Sequence, residues 1–115
     1  MKPYAEVAVE FASALLRGDF EQAHRFLSRK LAEELSPEEL REKYFEMFRG
    51  YTDETPARIQ FDEEFCDEEW PAKQPGDLGW AYVGLLGDNV VEAVTPIVAV
   101  EDGRLVVREI DWGRP

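Results

Sequence analysis

The 115-residue chain has one cysteine, one histidine, three serines and no apolar run of membrane-spanning length. Cys66 alone forms no internal disulfide and no zinc site, and it is read as a strand residue rather than a reactive thiol, which requires a cationic neighbour. With a single histidine, His24, a metal site would rest on scattered carboxylates. The carboxylate runs at 62–64 and 67–69 do not follow the spacing of a calcium-binding loop. Ser13, Ser28 and Ser36 offer no nucleophile case, since Ser36 is explained as a helix cap. Gly84 and Gly87 fall on a strand and a turn and form no phosphate cradle. No cofactor is expected. The opening Met-Lys-Pro-Tyr-Ala-Glu lacks a signal peptide's apolar segment, which favours a cytosolic protein off the membrane.

Bases are scarce in the second half. Residues 1–50 hold 8 Lys/Arg against 10 Asp/Glu, whereas residues 51–115 hold 5 against 15, within a net charge of −12. The acid is densest from Asp53 to Asp77. Such a surface repels phosphate backbones, so nucleic acid is not an expected partner. It would steer a basic protein partner, with Asp67, Glu68 and Glu69 as the expected contact surface. The alternative is a solvated face that aids solubility.

Apolar residues make up 44% of the chain, enough for one folded domain spanning 1–115. The hydrophobic period changes near its middle. Ala5, Ala8, Val9, Ala12, Leu15 and Leu16 recur at helical spacing behind Pro3, and Gly18-Asp19 marks a turn into a second helix carrying Phe20, Ala23, Phe26, Leu27 and Leu31. Ser36-Pro37-Glu38-Glu39 starts a third, with the apolar stripe Leu40, Tyr44, Met47 and Phe48. From Ala57 the pattern alternates. Four strands are predicted, at 57–66, 80–86, 90–101 and 104–112, with Asp102-Gly103 as a two-residue hairpin turn. Pro96 predicts a bulge or an edge in the third strand. The expected architecture is therefore α+β: three N-terminal helices, about 3–49, packed on a curved, mostly antiparallel four-stranded sheet, about 57–112.

Three segments carry a resemblance. Ala8 to Ala23, with its apolar helix and Gly-Asp-Phe turn, the junction Leu35-Ser36-Pro37-Glu38-Glu39-Leu40, and the tail Ile110-Asp111-Trp112-Gly113-Arg114-Pro115 resemble small bacterial members of the nuclear-transport-factor-2-like superfamily, the cystatin-like α+β rolls. That resemblance implies a cone-like roll, and sheet-face homodimers are common in the superfamily. It implies no single activity, because members include isomerase-like and cyclase-like enzymes, dehydratases, accessory domains and toxin-immunity proteins. Its enzymes keep a carboxylate or histidine in the cone beside Tyr or Asp donors, and no such set is matched here residue by residue.

Two functional expectations follow. The preferred one is a non-catalytic interaction module for a protein partner, an immunity-type inhibitor of a basic toxin being one concrete form. The other is a pocket for a small hydrophobic ligand, with or without proton-transfer chemistry, lined by Tyr44, Phe61, Glu63, Trp80, Tyr82 and Trp112. Strand alternation places Glu63 inward with Ile59, Phe61 and Phe65, where desolvation would raise its pKa and suit it to act as a base. The competing reading turns Glu63 outward or pairs it with an arginine. His24 is the other weak acid–base candidate, against a hydrogen-bonded structural role. Trp70, Trp80, Tyr82 and Trp112 either line a site or pack the core.

Overall fold

The computed structural model describes residues 1–114. Helix α1 (Pro3–Leu16) begins with Pro3 in its first turn, where a missing N–H goes unused, and Gly18 follows it at φ 75°. Asp19 accepts from the Gln22 N–H and opens α2 (Phe20–Arg25). The single second helix expected over this region is broken. At Leu27 the chain turns alongside Val107 in a parallel bridge, with the Val107 N–H donating to the Phe26 carbonyl and the Ser28 N–H to the Val107 carbonyl. Ser28 then caps α3 (Arg29–Glu34), and α4 (Pro37–Glu46) starts at the Ser36/Glu39 capping box. Four helices thus replace three, because sheet-edge hydrogen bonds and the burial of Leu27 override local helix propensity.

The sheet is antiparallel, with six strands: β1 (Arg58–Gln60), β2 (Cys66–Asp67), β3 (Asp77–Ala81), β4 (Val83–Leu86), β5 (Val91–Glu101) and β6 (Arg104–Trp112). Strand β5 is central. It pairs with β6 along one edge and with both β4 and β3 along the other, while β1 adds to β4 and β2 to β3. Two of the four expected strands are therefore each split in two. A short 3₁₀ turn, Glu63–Phe65, separates β1 from β2, with Asp62 accepting from the Glu64 N–H. Pro96 accounts for the other break. The pairs Trp80–Ile97 and Val83–Val94 put Ala81 opposite Pro96, which has no N–H to give. The turn at Asp102-Gly103 forms as expected, both residues having positive φ.

Helix α1 covers one face of the sheet. Phe11 and Leu15, joined by Leu40, Tyr44 and Phe48, fill the space against Val83, Leu85, Val94 and Val98, all buried. Gly79 permits the close approach of α1, since a Cβ there would lie 2.5 Å from the Tyr4 ring. Gly79→Ala should therefore destabilise the protein by about 1–3 kcal/mol through overpacking, read by chemical denaturation.

Two bulges flank β5 at one level. Leu78 is the extra residue of β3, between pairs Asp77–Ala99 and Gly79–Val98, and Arg108 is the extra residue of β6, between Val107–Val98 and Glu109–Ile97. The bulge at Arg108 shifts the alternation of β6. Val107, Ile110 and Trp112 meet the helix side, while Glu109 and Asp111 fall on the opposite, open face, across from Ile97 and Thr95. Arg108 reaches across β5 to Asp77, with Nε–Oδ1 2.6 Å and Nη2–Oδ2 2.7 Å, and the Gln74 N–H also donates to Asp77. Asp77 is fully buried as a side chain. Burial pushes its pKa up, but the Arg108 fork and the Gln74 N–H outweigh this and hold it below the ordinary 3.8.

Removing one member of such a pair strands a buried charge, so Asp77→Ala should cost about 3–5 kcal/mol, and Asp77→Leu with Arg108→Met much less. Because the folded pKa is depressed, the contribution of Asp77 is complete above its ordinary pKa and is lost as pH falls through the lower folded value. Denaturation curves should therefore fall less steeply between pH 5 and 2 (roughly the acid-unfolding range) for Asp77→Ala than for the native chain.

Candidate functional site

The open face of the sheet carries a trough formed by three adjoining clefts. The first, of about 440 Å³, runs between α3 and the ends of β5 and β6, with Leu31, Ala99, Val106 and Arg108 in its lining. Glu109 borders both this cleft and a second of about 360 Å³, lined by Trp70, Trp80, Tyr82, Ile97 and Asp111. Tyr82 in turn borders a third, smaller one with Asp62 and Phe65, where the Phe65 and Tyr82 rings lie 6.1 Å apart. Trp80 and Tyr82 stand on the same face because they are two residues apart on one strand course, and Trp70 comes from the loop between β2 and β3.

The two clefts that border Tyr82 are aromatic and acidic. Neither cleft bordering Tyr82 is lined by a lysine or arginine. The first cleft is lined by two bases, Lys30 and Arg108, and the arginine is already forked to Asp77. Trp70 has Lys73 above its ring at 6.0 Å, a cation held 3.0 Å from Glu69. Such a surface offers flat rings and carboxylates; among the described residues no group of three His, Cys, Asp or Glu could hold a metal.

The structure divides the residues expected to form one pocket. Trp80 and Tyr82 line the trough. Trp112 pairs with Val94 and packs against the core from the other face, because the Arg108 bulge shifts its side. Phe61 also packs on the core. Tyr44 is buried among Phe20, Phe45 and Phe48, its hydroxyl without a partner among the described residues and its pKa pushed up to about 12 by burial. Glu63 does not face inward with Ile59 and Phe61. The 3₁₀ turn leaves it exposed, beside a small cleft with Lys2, Cys66 and Glu68. The principal clefts thus bring Trp80 and Tyr82 together but bring neither to Tyr44, Phe61, Glu63 or Trp112. His24 ties α2 to α3 through a 3.1 Å contact of Nε2 with the Ala32 carbonyl.

The acidic segment is partly committed within the chain. Asp67 accepts from the Glu68 and Glu69 N–H groups, Glu68 bonds Lys2 and the Tyr4 hydroxyl, and Glu69 pairs with Lys73. The Lys2 and Tyr4 hydrogen bonds hold the Glu68 pKa below the usual carboxylate range. Glu109 and Asp111, not among the residues expected from sequence, are the exposed acids of the second cleft. A further carboxylate not expected from sequence is Glu92, buried on the helix side, accepting from the Tyr51 hydroxyl at 3.0 Å. Its position two residues before Val94 in an alternating strand was the available signal.

No family model, no curated protein and no solved structure matches the chain. Among the described residues, no helix is long and apolar enough to cross a membrane.

Tyr44→Phe removes a buried hydroxyl that has no hydrogen-bond partner among the described residues. The melting temperature of this variant should stay level or rise. A loss above about 1 kcal/mol would mean that the hydroxyl has a partner in solution.

Proposed function

We propose that this protein is a non-catalytic binding module that holds a basic protein partner on the open face of its sheet. The observation that carries this reading is the trough itself: aromatic rings with Glu109, Asp111 and Asp62 around them, and no base lining either cleft that borders Tyr82. Aromatic side chains supply rigid contact area, and the rim of like charge selects an opposite charge and speeds its arrival. The acid of 53–77 extends the same field beside the trough, with Asp67 and Glu69 exposed to it. The order of helices before strands, and the bulges beside β5, are consistent with a cone-like roll of the nuclear-transport-factor-2-like kind. In that reading the space between helices and sheet serves as core. The packing of Phe11, Leu40, Tyr44 and Phe48 there favours binding on the outside over chemistry on the inside.

The test uses two variants of equal charge change. Glu109→Gln with Asp111→Asn neutralises the trough, and Glu10→Gln with Glu42→Gln neutralises two exposed helix positions. A basic protein should be retained from lysate at 50 mM salt (about 14 Å of screening length) and released at 500 mM by the native chain and the helix variant, but not retained by the trough variant. Equal retention by both variants, or retention unaffected by salt, would contradict the reading.

A further inference from the structure

The trough narrows the chemistry of what it can hold. Asp111 makes no hydrogen bond or ion pair among the described residues, and the only charged contact of Glu109 is 3.6 Å from Arg108 Nη1, a guanidinium already engaged by Asp77. Both carboxylates stand on the open face two residues apart along β6, opposite Ile97 and Thr95. Across β5 from them stand the rings of Trp80 and Tyr82, with Trp70 at the side. The volume of about 360 Å³ lies within the roughly 300–1,000 Å³ of sites that enclose a discrete group.

We propose that this cleft receives the guanidinium of one arginine side chain of the partner, stacked against the Trp70, Trp80 and Tyr82 rings and hydrogen-bonded to Glu109 and Asp111. The inference rests on the binding reading above and names the group that is recognised. Arginine suits the cleft better than lysine, because a planar, weakly hydrated cation stacks on rings and presents a fork of donors to carboxylates, whereas an ammonium is a compact, strongly hydrated point charge. Lys73, held by Glu69 with its ammonium 6.0 Å from the Trp70 ring, already supplies a cation at that indole, so Trp80 and Tyr82 are the principal stacking surfaces. A second copy of the chain is a poorer occupant. Two such faces in isologous contact would bring Glu109, Asp111 and Asp62 of one protomer against the same acids of its partner, in a chain of net charge −12. An apolar ligand would have to desolvate two carboxylates without pairing them.

The three indoles make the test internal. Nitrogen–proton correlation spectra of the intact protein resolve one side-chain N–H for each of Trp70, Trp80 and Trp112, and Trp112 lies on the other face of the sheet. The probes are N-acetyl-glycyl-arginyl-glycinamide, its lysine and citrulline counterparts, and tetramethylammonium. The Trp70 and Trp80 signals should move with the arginine peptide while Trp112 stays. The lysine peptide should bind more weakly, and the neutral citrulline peptide about 10-fold or more weakly. Glu109→Gln with Asp111→Asn, at exposed positions, should weaken the arginine peptide by about 10-fold and leave the rest of the spectrum folded.

The proposal is overturned by equal response to citrulline, by preference for tetramethylammonium, or by no response to any probe. It is equally overturned if the Trp70 and Trp80 signals move with protein concentration alone, which would assign the face to a second copy. Failure here, with a basic protein still retained through Glu109 and Asp111, would sink the arginine assignment and leave the binding reading standing. Loss of both would remove both.

Discussion

Asp77 and Arg108 clasp the central strand from opposite edges, and the organisation of the sheet rests on that clasp. Strand β5 is hydrogen-bonded along both sides, so an ion pair on its open face must come from its neighbours β3 and β6. Each neighbour carries an extra residue at that level, and Ala99 between them is small enough to leave the open face free for the guanidinium. The extra residue at Arg108 does more than place an arginine. It shifts the alternation of β6 so that Ile110 and Trp112 join the helix-side core while Glu109 and Asp111 face solvent. A regular strand would have sent those two carboxylates toward α1, where burying them unpaired would be unfavourable.

The two faces of the sheet then have different uses. On the helix side, close approach at Gly79 and the aromatic packing around Tyr44 leave a filled core. On the other side, α3 covers only one end of the face, leaving the rings of Trp80 and Tyr82 half-buried next to exposed acid. Apolar surface that is open and rimmed by charge is the usual form of an interaction site. The binding function proposed for the chain draws on this asymmetry, to which the bulge in β6 contributes Glu109 and Asp111.

Local signals in the sequence were read correctly where a single residue decides the outcome. The Pro3 start, the Asp19 cap, the Ser36/Glu39 box and the Asp102-Gly103 turn all formed. The misplacements arise where a distant partner decides. Phe26 to Ser28 left the helical path because Val107 offers hydrogen bonds from across the fold. Glu63 left the strand because Asp62 accepts from the Glu64 N–H and curls the chain. Pro96 was expected to put a bulge or an edge in its own strand, yet β5 runs unbroken at the centre of the sheet; the missing donor broke the neighbouring strand at Tyr82, and the bulges formed in β3 and β6. No one-residue signal marks Arg108 as an extra residue, so the open-face position of Glu109 and Asp111 was not legible from alternation. Trp80 and Tyr82, two apart on an unbroken stretch of strand character, were legible as a pair.

The central claim is that Trp80 stands on an open, negatively charged face. Collisional quenching of its fluorescence, in a variant with Trp70→Phe and Trp112→Phe that retains the native circular dichroism, measures this directly. At matched ionic strength, and with each ion's quenching expressed relative to its quenching of N-acetyl-tryptophanamide, caesium should score higher than iodide at Trp80, since the surrounding carboxylates concentrate cations and repel anions. A higher relative value for iodide, or resistance to both ions, would contradict the account.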